Sequence, residues 1–354
     1  MSLTSHRLRV LAFAGALLAG SLAASGQPGR NTYILTSSNN TSGNAVLVFK
    51  VNGGQTPSIP FAYSVPTGGK GGASGNAGIL QFNGTLGAVA NYGSNTVTQL
   101  LRAGNFITAV RSIRLAPDCV GPDSLDLSNG QLYIVGANCA ESHAWPAGYL
   151  DGPVVPLSDN SAGQIAAGKT WAAVTLKSGS VLRLPLARFT GALDGSSTTI
   201  TLPADTNDTP LGAAFWGDTL GFNPAHSPNS FAIVDTSQTV HPVAGPTPPF
   251  PSNAPCWVVK GPDSIWYTGN SPGMAISIFF SDAQGGAFYK SVPVPGVPTD
   301  VAVSPDGNWL AAIYTASDGA HIALFSIDNY GGLTYAASSS AVGVASFNGV
   351  AFSQ

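Results

Sequence analysis

Short apolar strands recur along this chain in groups of three or four, each led by a small-residue strand, and that recurrence limits the fold more than any other feature. The leaders begin near Asn76, Pro122, Gly163, Leu211, Pro255, Pro298 and Ser346, spaced by about 41 to 48 residues, the length of one four-stranded propeller blade. The group near the C-terminus is the clearest: Pro298–Ser304, Asn308–Tyr314, His321–Ile327 and Leu333–Ala337. Each run is short and bounded by Gly, Pro, Asn or Asp, as strands are. The first group, Thr32–Thr36, Ala45–Val51 and Phe61–Val65, has three strands, while Asn348–Phe352 is a leader without followers. Placing the last strand in the first group completes four and closes the ring, leaving no open edge. The expected fold is therefore all-β, a seven-bladed β-propeller over residues 27–354. A β-sandwich pair, the rival architecture, predicts neither the period nor the orphan strand. In the third repeat, Cys139 to Asp151 contains Trp145-Pro146. Proline is excluded from central strands, so this stretch reads as a loop in place of a third strand.

Residues 1–26 read as an export signal. His6, Arg7 and Arg9 precede the apolar stretch Val10 to Leu22, and small residues follow at Ser21, Ala23 and Ser25, placing cleavage between Ala23 and Gln27. The stretch falls short of the roughly 20 residues a spanning helix needs; an uncleaved anchor is the alternative. The protein is expected to be secreted or periplasmic, monomeric, and without a membrane span once the signal is gone. The formal charge is −3 and becomes more negative when Arg7 and Arg9 leave. With no Lys/Arg run, nucleic acid is excluded as a partner.

Export permits disulfides. A two-residue turn at Asn129-Gly130 folds Pro122–Ser128 onto Gln131–Ala137. That hairpin brings Cys119 and Cys139 nearly opposite each other at its open end and favours their disulfide, leaving Cys256 free. Two reduced, packed thiols are the competing reading. Sequons begin at Asn39, Asn40, Asn83 and Asn207, and matter only in a eukaryotic host.

Ser304-Pro305-Asp306-Gly307-Asn308-Trp309-Leu310 resembles the strand–turn–strand signature of YVTN and lactonase-type propellers. Gly93-Ser94-Asn95-Thr96-Val97 after Ala90-Asn91, and Gly331-Gly332-Leu333-Thr334 after Phe325-Ser326-Ile327, resemble other blade motifs of that family. Ala254-Pro255-Cys256-Trp257-Val258-Val259 is similar to a segment of its exported members. The resemblance spans nearly the whole mature chain and implies a seven-bladed propeller with lactonase-like chemistry. The family includes propeller-type 6-phosphogluconolactonase and 3-carboxy-cis,cis-muconate lactonising enzyme. Both act inside cells, and phosphorylated or polycarboxylate substrates call for clustered Arg or Lys; basic residues here are spread thinly. No catalytic residue of the lactonising enzyme is matched to a position in this chain.

Sites in a propeller are sought on the face shared by the loops entering each blade and the turns between its second and third strands. Glu141, the only glutamate in the chain, and His143 fall in the third repeat's loop, and His226 in the fifth repeat's. Asp205 and Asp208 precede the fifth leader, Asp123 and Asp300 sit at the starts of the third and seventh, and Arg183 and Arg188 flank an outer strand of the fourth repeat. Opening a lactone needs a base for water and a donor for the oxyanion. His143 or His226 would be the base, Glu141 would orient it, and Asp123 or Asp300 would line the channel. Solvated loop residues and ordinary turn chemistry are the alternative for each. Scattering of these groups over separate blades would remove hydrolysis by this set. Cys139, Glu141 and His143 alternate on one face of an extended segment, but a disulfide at Cys139 leaves too few ligands for a metal. No cofactor is expected, and no Gly-x-Ser-x-Gly or His-Glu-x-x-His pattern occurs. The expected activity is that of a lactonase-like hydrolase or a cycloisomerase, opening or forming a small lactone, and the expected partner is a small carbonyl or lactone substrate. The other class is a non-enzymatic propeller that binds a carbohydrate, peptide or surface partner.

Overall fold

The computed structural model describes residues 31–354 apart from 74–76, 158, 229, 246–253, 283–284 and 344–346. The expected signal segment, and the leader starts at Asn76 and Ser346, lie outside the described residues. Among the described residues, 28 strands form seven four-stranded antiparallel sheets. Each sheet is one blade. Blades 2 to 7 run in chain order from an inner strand to an outer one, and their inner strands are Leu80–Asn83, Ser124–Ser128, Ala162–Ala167, Pro210–Trp216, Pro255–Lys260 and Val297–Val303.

Blade 1 takes its inner strand from the other end of the chain. Asn348–Ser353 pairs antiparallel with Thr32–Ser37, with Leu35 opposite Ala351 and Ile34 opposite Phe352. Thr36 Oγ1 donates to the Gly349 carbonyl at 2.7 Å. Every residue of this closing strand is buried. Phe352 and Val350 pack with Ile34 and Phe49 of blade 1 and with Ile313 and Leu324 of blade 7. The orphan last strand is thus the ring closure, at the innermost position.

Position in the blade dictates the residue pattern. Second strands such as Trp171–Leu176 and Ile265–Asn270 are buried throughout, since neighbouring blades cover both faces; they read as continuous apolar or small-residue runs. Outer strands such as Phe106–Arg114 are largely exposed. Tight turns join the strands. In Ser304–Trp309, Asp306 accepts the Ser304 hydroxyl at 2.6 Å and the Asn308 N–H at 3.1 Å, Ser304 Oγ accepts the Trp309 N–H at 2.9 Å, and Gly307 takes φ 72°. Left-handed φ is where glycine carries no steric penalty. This local chemistry is why the Ser-Pro-Asp-Gly-Asn signature marks a turn between strands.

The third repeat corrects one expectation. Cys139–Ala144 is a regular third strand, pairing Ala140 with Val135 through Ala144 with Gln131. The turn before it is only three residues long, closed by Gly136 N–H to Cys139 carbonyl at 2.9 Å. Trp145-Pro146 comes after the strand, so the proline removes no ladder bond. The outer strand is reduced to Val155–Pro156. The hairpin register around Asn129-Gly130 pairs Ser124 with Val135. Cys119 and Cys139 are joined by a disulfide, with their Cα atoms 5.4 Å apart. Cys256 is free and partly buried; burial pushes its thiol up to about 12.

Candidate functional site

The inner strands surround a cavity of about 310 Å3. Apolar and small residues form most of its wall, and five polar or charged side chains interrupt it: Gln81, Asp126, Gln164, Lys260 and Asp300.

Four of the inner-strand side chains also tie blade to blade. Ser124 Oγ accepts the Ile165 N–H at 3.3 Å, and Gln164 Oε1 accepts the Ala213 N–H at 2.8 Å. Asp300 Oδ2 accepts the Val350 N–H at 3.2 Å, and Asp126 Oδ2 accepts the Ala167 N–H at 2.6 Å. In each case the donor belongs to the inner strand of the next blade. The ladders of blades 4 and 7 slip register at Ala162/Ile165 and Pro298/Asp300. Bulges of this kind re-aim side chains, here Gln164 and Asp300. Asp300 Oδ1 takes the N–H of Val301 at 2.8 Å, and the Gly78 N–H also faces the carboxyl.

Burial decides the protonation of both carboxyls. It pushes Asp300 up to about 7 and Asp126 up to about 6, outweighing the N–H bonds that favour their charged forms. A buried carboxyl that titrates near neutrality can both take and return a proton. Gln164 commits its oxygen to Ala213, and its amide NH2 has no partner among the described residues. Lys260 ends the inner strand of blade 6. Its ammonium donates to the carbonyls of Gly261, at 2.8 Å, and Asp263, and lies 5.1 Å and 5.4 Å from the ring centres of Trp216 and Trp266. Burial brings it down to about 8, with Asp263 opposing.

The proposed histidine set is not brought together. Glu141 and His143 stand on the third strand of blade 3, both buried, with Oε1 to Nε2 at 2.8 Å. The other carboxylate oxygen accepts the Ala116 N–H at 3.0 Å, and His143 Nδ1 lies 3.3 Å from the Gly148 carbonyl. Because this segment is a strand rather than a mouth loop, the pair is sealed between blades 2 and 3. Its two polar groups satisfy each other there. His226 is on the exposed turn between second and third strands of blade 5, 3.0 Å from Thr209 Oγ1 and 3.8 Å from Asp208 Oδ1. Asp123 is buried just ahead of the inner strand of blade 3. It acts on the Lys177 ammonium, which burial lowers and Asp123 partly restores. Of the five candidates, Asp300 alone lines the cavity.

The sequence reading passed over Asp126, Lys260 and His321. Asp126 carried a signal: Ser124-Leu125-Asp126-Leu127 alternates polar and apolar residues on a leader strand, which puts both polar groups on one face. His321 forms a second carboxylate–histidine pair on a third strand. Its Nε2 is 2.8 Å from Asp318 Oδ1, its Nδ1 is 2.9 Å from the Ser339 carbonyl, and it stacks on Tyr314 at 5.2 Å. It sits on the third strand of blade 7, away from the cavity lining. Among the described residues no His, Cys, Asp and Glu group has a metal-binding arrangement.

No protein-family model and no curated protein matches the chain. Solved structures do match in fold. The periplasmic gluconolactonase of Pseudomonas aeruginosa superposes with a TM-score of 0.65 at 14% identity, covering 92% of this chain and 99% of that one. A 6-phosphogluconolactonase-like protein of Bacteroides fragilis gives 0.65 at 13%, covering 92% and 98%. A protein of Lactobacillus plantarum gives 0.67 at 13%, covering 92% and 100%. The chain is thus similar to lactonase-type propellers over nearly the full length of both partners. At such identity, the likeness is one of fold.

Proposed function

We propose that this protein is an exported lactonase-like hydrolase, opening a small lactone in the cavity between its inner strands. The observation that carries the reading is Asp300: a buried carboxyl on the cavity wall, fixed by N–H groups of neighbouring strands and titrating near 7. As a carboxylate it takes a proton from the water that adds to the ring carbonyl carbon. The amide of Gln164, on the same cavity wall, donates to the oxyanion that forms. Collapse then breaks the bond between that carbon and the ring oxygen, which receives the proton from Asp300. The product is an open hydroxy acid. The fold of the gluconolactonase and the N-terminal apolar segment support the substrate class and the export.

The test is turnover of a lactone panel by the purified protein. Asp300→Asn is expected to lower kcat by about 100-fold or more, the contribution of a positioned base, while His143→Ala and His226→Ala retain it. The wild-type rate should rise with pH, pass its half-maximum near 7 and level off above it, as Asp300 deprotonates. Full activity in Asp300→Asn would remove this assignment. Binding without turnover across the panel would favour the non-enzymatic reading.

A further inference from the structure

A second cavity, of about 350 Å3, opens on the opposite edge of blade 4 from the turn at Lys177. It lies between the first turn of that blade, at Lys169 and Thr170, and the loop that follows its third strand. Asn129 of blade 3 closes one side, and Arg188, Phe189 and Thr190 form the other.

The loop is built rather than slack. Leu186 N–H donates to the Thr170 carbonyl at 3.0 Å, and Gly191 N–H to Ala187 at 2.8 Å. Blade 3 holds the loop's far end: Gln131 Nε2 donates to the Thr190 carbonyl at 2.9 Å, and the Tyr133 hydroxyl to that of Gly191 at 2.5 Å. This scaffold keeps the Phe189 ring 95% exposed, with the Arg188 guanidinium 5.8 Å from its centre. No carboxylate lines the cavity, and among the described residues neither Lys169 nor Arg188 has an acidic partner. The nearby Asp218 turns one carboxylate oxygen, Oδ1, to the N–H groups of Lys169 and Thr170, at 2.7 and 2.8 Å. Two unpaired cations and an aromatic face thus converge on one small cavity in a chain that is acidic overall.

We propose that this cavity is a binding site for a small ring-bearing carboxylate. The carboxylate pairs with Arg188, whose planar fork suits it, and with Lys169. The ring lies against Phe189. Charge complementarity selects the anion, and the aromatic wall selects a flat ring over a bare ion such as sulfate. The site is separate from the cavity of Asp300 and does not depend on the lactonase reading.

Benzoate is the probe, titrated by calorimetry at low salt, with benzamide as its uncharged counterpart. Benzoate should bind saturably and benzamide at least about tenfold more weakly, a difference of about 1.4 kcal/mol. The double variant Arg188→Ala/Lys169→Ala should lose the same factor, and Phe189→Ala should weaken binding while the thermal midpoint stays put. Lys260→Ala, in the other cavity, should leave binding unchanged. Absence of saturable benzoate binding, equal binding of benzamide, or benzoate binding that survives the double variant would each overturn the proposal.

Discussion

Glycine and aspartate show at the single-residue scale how closely the blades are fitted. Gly221 lies on the buried second strand of blade 5, where a methyl group would come within 2.7 Å of the Trp266 ring and 3.0 Å of Phe231. Trp266 has nowhere to go: it is fully buried, donates to Ser281 Oγ at 2.5 Å and contacts Phe231 at 5.6 Å. Gly221→Ala is therefore expected to cost about 1 to 3 kcal/mol, the usual cost of overpacking, read as a lower denaturant midpoint at unchanged slope. Aspartates serve the turns. Asp159, Asp194 and Asp235 each accept both the N–H and the hydroxyl of a serine two residues on. The Asp-x-Ser spacing makes these turns readable in the sequence. For Asp126 and Asp300 the sequence shows only a place on a leader strand, because the N–H groups of Ala167 and Val350 that tie them to a neighbouring blade belong to the next inner strand.

Among elements, the closing strand and the third strand of blade 3 mark opposite limits of what the sequence discloses. The closing strand was legible because Asn348–Phe352 had no other partner to join. Its side chains bind it into two blades at once, and Phe352 sits in a cluster drawn from blades 1 and 7. Phe352→Ala should cost about 3 to 5 kcal/mol, enough to lower the midpoint of the whole ring in a thermal melt rather than to fray one end. A shift confined to local exchange of the last strand would contradict that role. Cys139–Ala144 reads as a loop because Trp145-Pro146 follows directly behind it, and Ala-Glu-Ser-His-Ala has no β-branched residue to argue otherwise. Its strand character comes from the neighbours instead. Glu141 and His143 satisfy each other against blade 2, while Ser142 Oγ accepts the Leu193 N–H at 3.0 Å from blade 4. Pairing and burial there override a weak local propensity.

Over the whole molecule, opposing sets of groups set the pH at which the ring is firmest. Asp318 is held low by His321, Asp328 by the N–H groups of Gly332 and Tyr330, and Asp235, against some burial, is brought to about 2 by His241 and Ser237. Their stabilisation is present above the ordinary carboxyl value of 3.8 and is lost as pH falls through their depressed values. Asp126 and Asp300 work the other way: the folded chain holds their protons up to about 6 and about 7, so stability declines as pH rises toward those values. His321 adds to that decline. Burial opposes its charge, but the Ser339 carbonyl and Asp318 outweigh burial and raise it, so its contribution fades as pH passes its raised value. The thermal midpoint should accordingly peak at about pH 4, just above the ordinary carboxyl value, and fall as pH rises toward 7. In Asp300→Asn the fall on the alkaline side should be shallower, and an unchanged slope would show that this carboxyl does not titrate as described.

The sequence by itself determined the repeat, the blade count, the closure, the hairpin and the cysteine pair that the hairpin brings together. Each of these depends on strand period, turn residues and counting, which act within a few residues or between segments of the same kind. Tertiary structure alone decided the site. Glu141 and His143 alternate as the sequence implied, yet they are sealed between blades 2 and 3; Asp300 and Asp126, from blades 7 and 3, share one cavity wall. The protonation of those carboxyls depends on burial by strands far away in the chain, and burial is a property of the closed ring, not of any segment in it.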